Sequence, residues 1–404
     1  MKPIFRNPVG LGFDGEAVED AWLALVQAAD RHEYGGAVAL VARRGEIGLY
    51  RATGWAVREP AYQRSPMGAD AIFDLASLTK VTATLPSILQ LVAEGQIGLE
   101  QPVGEILPEF GAGGMKSGVT IERLLTHSAG FRDWIPAFLD SPGDLAILNG
   151  QDERAYLAAF AATQPEWEPN TRVVYSDPSF IALGMVVHRV TGETVDVYAA
   201  REVFDRLGMV DTMYCPPRSL RGRIAGTEIG NQFEARKMTS GRTPAVGPWR
   251  DALIRGEVHD GNAWYGFGGV AGHAGLFGTA MDLFRYGQMW LNAGELDDVR
   301  VLPEELVAAA IVNRTRYEDP TDVRGYGWRL LPPPGSPEGN PESGRGLSQR
   351  AFGHTGFTGT SLWMDPEHEL LIVLLTNRVH PTVNPAYMET RARFTATIAG
   401  AIRD

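Results

Sequence analysis

The sequence predicts an α+β protein in which an antiparallel sheet is assembled from both ends of the chain and a mainly helical lobe is inserted between them. Three observations predict it. Strand-like runs follow a first amphipathic helix, they become scarce between Gly95 and about Gly275, and they return before a closing helix. The 404 residues are read as a single domain, with an α/β lobe at about 1–75 plus 276–404 and a helical lobe at about 76–275. Two lobes leave a cleft between them, a usual location for a site.

The elements follow in order. Val18, Trp22, Leu25 and Val26 share one face over Glu16 to Arg31, and Asp14 is placed to cap that helix. Ala37 to Ala42 and Glu46 to Val57 are rich in β-formers and joined by Arg43-Arg44-Gly45, which predicts a hairpin. A long apolar-periodic helix runs from Ser77 to Glu94, and Pro86 inside it should kink or split it. Short helices are expected at Thr120–Thr126, Asp152–Thr163, Pro178–Val190 and Thr194–Leu207, the last two ending before Gly192 and Gly208. Further helices are expected at Thr279–Asn292, Pro303–Val312 and Pro385–Ile402, and strands at Tyr326–Leu331, Thr360–Met364 and Leu370–Thr376. Pro332 to Gly346 reads as an exposed loop.

Composition narrows the function. Hydrophobic residues make up 44% and charged residues 21%, ordinary for a protein with its own core. A net charge of −12 argues against nucleic-acid binding, which needs clustered Lys and Arg. The lone cysteine, Cys215, excludes an intrachain disulfide and reads as a buried, inert thiol. No run resembles a signal-peptide core or reaches the ~18 apolar residues of a spanning helix, so a cytoplasmic location without membrane contact is expected. No His/Cys/Asp/Glu set shows metal-ligand spacing, and neither metal nor cofactor is expected. His127 and His273 read as packing residues in structural segments.

Chemistry concentrates in three places. In Phe73-Asp74-Leu75-Ala76-Ser77-Leu78-Thr79-Lys80, a hydroxyl and an amine are three residues apart and share a helix face. Ser77 needs a group that takes or prepares its proton, and Lys80 can serve because, unlike arginine, it can deprotonate. The chain has only four lysines among 37 basic residues, which sharpens that pairing. Ser77 also suits a plain N-cap, and a helix N-terminus favours an oxyanion. The second place is Tyr175-Ser176-Asp177, just ahead of a helix. Tyr175 acts as a base only if cations hold it as phenolate or if it relays a proton; otherwise it is a packed loop tyrosine. The third is Gly353-His354-Thr355-Gly356-Phe357-Thr358-Gly359, where glycines admit a substrate and His354 can donate a hydrogen bond or carry charge toward a carboxylate. A Gly-rich hairpin with an incidental histidine is the alternative.

Taken together, in this order and spacing, the three elements resemble the serine β-lactamase and penicillin-binding-protein family. The resemblance is to its class C-like branch, which includes carboxylesterases and D-amino-acid peptidases. Leu124-Leu125-Thr126-His127-Ser128-Ala129-Gly130 and Gly268-Gly269-Val270-Ala271-Gly272-His273-Ala274-Gly275-Leu276-Phe277 are similar to further family segments, and the match spans about Gly36 to Arg378. The resemblance implies a β-lactamase-like fold and an acylated nucleophile, Ser77, with Lys80 as its general-base partner. It implies that Tyr175 shuttles a proton to the leaving group, that His354-Thr355-Gly356 replaces the family's Lys-Thr-Gly, and that the backbone N–H groups of Ser77 and Phe357 form an oxyanion hole. Losing one such donor costs on the order of 3 kcal/mol.

Two departures bear on substrate. Asp177 replaces the family asparagine; ionised, it cannot donate, but it can pair with Lys80 and shift the base role toward Tyr175. His354 in place of lysine removes a fixed charge near the expected substrate carboxylate, which places small esters ahead of D-amino-acid or muropeptide amides, with β-lactams a weak side activity. Transfer to an alcohol or amine, and a slowly deacylating penicillin-binding sensor, are further readings. Glu257-Val258-His259-Asp260 suggests a polar loop, either substrate-facing or closing a turn, and Trp134, His259, Trp264 and Tyr265 are candidate lining residues. Tyr326 and Trp328 are weighed likewise, with core packing the commoner fate of such aromatics. The expected partner is a small ester, amide or β-lactam; oligomeric state stays open.

Overall fold

The computed structural model describes residues 2–111, 113–135, 163–238, 249–315, 322–334 and 346–403. Its frame is an antiparallel sheet of eight strands: β1 (Gly36–Arg43), β2 (Glu46–Val57), β3 (Ser65–Pro66), then β9 (Val323–Arg324), β10 (Arg329–Leu330), β11 (Phe352–Thr355), β12 (Ser361–Asp365) and β13 (Leu370–Thr376). In space the order is β3-β2-β1-β13-β12-β11-β10-β9. The seam is β1 against β13, with Ala37 opposite Thr376 and Arg43 opposite Leu370, so the two chain ends are joined at the sheet's centre.

Both faces of that seam are buried, which explains its unbroken apolar run. Ala37, Ala39, Val41, Ile372 and Leu374 face one layer with Trp22, Leu25, Phe394 and Ile398 of the helices Gly15–Asp30 and Tyr387–Gly400. Val38, Leu40, Leu371, Val373 and Leu375 face the other, with Leu283, Phe284 and Met289 of the helix Ala280–Leu291. The alternation is the period of two expected for strands.

A second sheet positions the site. β4 (Phe73–Asp74) and β5 (Met213–Tyr214) both pair with β6 (Leu276–Gly278). It clamps the segment entering Ser77 to the segment leaving the helical region. Another small pair, β7 (Glu295–Leu296) and β8 (Val299–Arg300), closes a surface hairpin.

Most expected elements are present. Asp14 caps its helix through Glu16 and Ala17, Ile121–Leu125 forms behind Thr120, and Asp177–Thr191 ends at Gly192 in a left-handed conformation. The helix after Ser77 is split: a π-turn spans Lys80–Thr84, where the Leu85 N–H reaches Lys80 O, and an α-helix runs Leu85–Ala93 with Pro86 in its first turn. Proline lacks the N–H that the interior of a continuous helix would use. Differences arise where strands are short. Tyr326 precedes β10 rather than starting it, and β11 runs from Phe352 into the Gly-rich motif. Tyr326 and Trp328 are core residues. Cys215 is exposed, not buried, because a left-handed turn after β5 carries it outward. The helix expected at Asp152–Thr163 and most of the Pro332–Gly346 loop lie outside the described residues. Among those residues no helix is long and apolar enough to cross a membrane.

Candidate active site

Ser77 stands at the tip of a tight elbow. Ala76 has φ +47, a left-handed conformation that costs a non-glycine residue on the order of 1–2 kcal/mol. The surroundings hold it. Asp74 Oδ1 accepts the Ala76 N–H at 2.9 Å, the Leu75 N–H reaches Leu276 O at 2.9 Å, and Thr79 Oγ1 accepts the Leu276 N–H at 3.1 Å. From the other side, Thr358 Oγ1 donates to Asp74 O at 2.7 Å and Thr360 Oγ1 to Leu75 O at 3.0 Å. Gly356 allows this closeness: a Cβ there would lie 2.1 Å from Thr360 Oγ1 and 2.4 Å from Leu75 O. The Gly-rich turn is therefore stitched to the nucleophile elbow, and Ser77 and Phe357 both line the cavities on either side.

Lys80 is fully buried beneath Ser77. Its Nζ donates to Ser77 Oγ at 3.0 Å and to His273 O at 3.0 Å, and stands 2.7 Å from Asp177 Oδ1. The ammonium thus donates to two oxygens and forms an ion pair with the Asp177 carboxylate. Burial works to lower the Lys80 pKa, but the Asp177 carboxylate and the Tyr175 oxygen outweigh it and hold the amine above its ordinary value. Tyr175 lines both cavities with Ser77 and packs its ring against Lys80; burial raises its pKa, against the pull of Lys80, so it is a neutral phenol. Its ring lies 4.7 Å from that of His127 and 5.8 Å from that of His354, with Lys80 and Arg324 over it at 5.0 and 5.3 Å.

Several expected roles change. His354 Nδ1 donates to Thr355 O at 2.8 Å, and burial, then Arg324 and Lys80, push its pKa well below the ordinary value. It is neutral and does not carry charge toward a carboxylate. Thr355 and Gly356 line the same cavity. His127 and His273 are more than packing. His127 Nδ1 accepts the Ser176 N–H at 3.0 Å and backs the Tyr175 ring, while His273 bonds Asp260 at 2.9 Å and gives its carbonyl to Lys80. Asp177, Asp260 and His273 place ligand atoms within 4.8 Å of one another, but the Lys80 ammonium already fills the cationic position beside Asp177.

One cavity of about 200 Å³ has aromatic walls from Trp134, Phe233 and Phe357, with His259 behind Phe357 at 5.7 Å. His259 is buried, bonded to Glu228 at 3.0 Å, and its N–H reaches Asp74 Oδ2 at 2.7 Å. Trp264 and Tyr265 line neither cavity: Trp264 packs under Arg250 at 4.7 Å, and the Tyr265 hydroxyl bonds Asn231 at 3.0 Å. The second cavity, about 260 Å³, carries Arg324, Arg329, Arg378 and Arg391. These four, 67 positions from first to last, have no motif spacing, and only the fold gathers them.

Comparisons with known proteins bear on the family and the fold. Residues 23–397 match the family model described as Beta-lactamase. The chain is 32% identical over 400 residues to a protein of Salmonella agona named "Putative D-alanyl-D-alanine carboxypeptidase", covering 94% of this chain and 87% of that one. Among solved structures, a novel penicillin-binding protein homologue from Caulobacter crescentus superposes with a TM-score of 0.71 at 23% identity, covering 96% of this chain and 98% of that one. A hydrolase with promiscuous acyltransferase activity gives 0.67 at 21% identity, covering 96% and 99%. With an antiparallel sheet closed by both chain ends, a Ser-x-x-Lys elbow beneath it and a family match across nearly its whole length, the chain belongs to the beta-lactamase family.

Proposed function

We propose that the protein is a serine hydrolase working through an acyl-enzyme on Ser77, and that its substrate is an amide whose leaving amine ends in a carboxylate, the class that its relatives' carboxypeptidase name suggests. The observation that carries the reading is Lys80, fully buried with its ammonium shared among Ser77 Oγ, His273 O and Asp177. A buried charge held in this way at a serine hydroxyl is costly unless it has work to do.

Ser77 Oγ attacks the carbonyl carbon, and the Ser77 and Phe357 N–H groups receive the developing oxyanion. With Lys80 held charged by Asp177, Tyr175 relays: it takes the Ser77 proton while passing its own to the leaving nitrogen, and the C–N bond breaks. Water then enters and gives its proton to Tyr175 as it attacks the ester. The ester is cleaved, and Ser77 leaves with a proton from Tyr175. The reason for placing small esters first was the missing lysine at His354. Arginines supply positive charge in the adjoining cavity, so that reason falls away. A carboxylesterase is the second reading, favoured by the aromatic walls of the other cavity, which suit an apolar acyl group.

The test is hydrolysis of N-acetyl-D-alanyl-D-alanine, p-nitrophenyl acetate and nitrocefin by the wild type and Ser77→Ala, with intact-mass detection of the acyl-enzyme. Dipeptide turnover that the substitution abolishes supports the peptidase. Ester turnover alone supports the second reading, and equal rates in the two proteins remove Ser77 as nucleophile.

A further inference from the structure

We propose that the arginine-lined cavity beside Ser77 is a subsite for a leaving group bearing two negative charges, a dicarboxylate or a phosphate monoester rather than a single terminal carboxylate. This rests on the acyl-enzyme reading above and goes beyond it in naming the charge of the departing half.

The guanidinium groups come from four separate places. Arg324 ends β9, Arg329 lies on β10, Arg378 follows β13, and Arg391 projects from the helix Tyr387–Gly400. Arg324, Arg391 and Arg378 are only 1%, 3% and 9% exposed. Taking a cation out of water costs several kcal/mol unless anions compensate. Asp322 serves two of them: it holds Arg324 at 2.7 Å and reaches Arg329 at 3.6 Å. Arg324 Nη1 remains buried with no hydrogen-bond partner. Arg378 Nε donates to Phe357 O at 2.6 Å, which fastens this cluster to the turn beside Ser77.

A single carboxylate is satisfied by one bidentate guanidinium, as Asp322 shows with Arg324. Four arginines around one cavity of about 260 Å³ exceed that need. Arg324 spends its fork on Asp322 and Arg378 its Nε on Phe357 O. Each guanidinium carries five N–H donors, however, and those of four arginines around one cavity suit two anionic groups or the three oxygens of a phosphate. The direction follows from Tyr175. It protonates the leaving atom, and Arg324 lies over its ring at 5.3 Å, so the group attached to that atom runs past Tyr175 into the arginines. Burial, reinforced by Arg324, Lys80 and Arg329, holds His354 neutral, which keeps a hydrogen-bonding ring where a further cation would repel its neighbours.

The test keeps one scissile bond and varies only charge: phenyl acetate, 3-acetoxybenzoate, 5-acetoxyisophthalate and 3-acetoxyphenyl phosphate, each kcat/KM divided by its hydroxide-catalysed rate. The expected result is a rise on the order of tenfold from monoanion to one or both dianions, weakening with added salt. Which dianion gains identifies the source of charge. In Arg329→Gln and Arg391→Gln the dianion should lose more than phenyl acetate does. A dianion no better than 3-acetoxybenzoate, or variants that slow all four esters equally, would overturn the subsite while leaving the acyl-enzyme intact. If Ser77→Ala fails to abolish turnover, or no ester is cleaved, the acyl-enzyme reading falls first and the subsite with it.

Discussion

Lys80 and Asp177 define the site at the scale of single residues. With the carboxylate 2.7 Å away the amine stays charged, and the proposed mechanism therefore assigns proton transfer to Tyr175. Asp177→Asn removes the charge that opposes burial, so the Lys80 pKa should fall. A relay through Tyr175 that depends on a charged neighbour then predicts a loss of kcat on the order of 10²-fold or more, the usual scale for acid–base groups. A pH–rate profile checks it: an acid limb displaced to lower pH with kcat retained would instead make neutral Lys80 the base. The Ser77–Lys80 pair was legible in the sequence because three positions separate it, whereas the role of Tyr175 entered only through the family resemblance. The roles of His273 and Arg324 were not legible, since a carbonyl offered to Lys80 and a guanidinium over Tyr175 exist only after distant segments meet.

At the scale of elements, the turn Gly356–Gly359 and the Ser77 elbow behave as one piece. Gly356→Ala would press a methyl against Leu75 O and Thr360, and should lower kcat/KM by more than tenfold together with the melting temperature, measured side by side. In the first turn of the helix Ala280–Leu291, burial raises the Asp282 pKa to about 6 despite hydrogen bonds from Thr212 and Asp211. A carboxyl raised on folding favours the folded state at low pH. Its contribution is complete below its ordinary value of 3.8 and lost as pH rises through about 6. Asp282→Asn should therefore shrink the fall in melting temperature between pH 4 and pH 7 relative to the wild type. Long periodic helices and β1, β2 and β13 were readable from the sequence because periodicity and burial agree there. The short strands β4, β5 and β6 were not, because two or three residues carry no period.

Across the whole molecule, an acidic chain of net charge −12 nonetheless gathers four arginines around the cavity beside Ser77. The net charge of the chain gave no sign of this local cluster. The sheet that holds the cluster depends on its central seam. Leu374 is fully buried on β13 in the layer shared with the two terminal helices, and Leu374→Ala should cost about 2–5 kcal/mol in denaturant unfolding. The same seam also imposes an order in time. β1 leaves the ribosome early but finds β13 only once Thr376 has been synthesised, and Ser77 waits for Thr358 and Thr360 to brace its elbow. A growing chain therefore carries Ser77 unbraced until Thr358, Thr360 and β13 have been made, and any acyl transfer at that elbow waits for them.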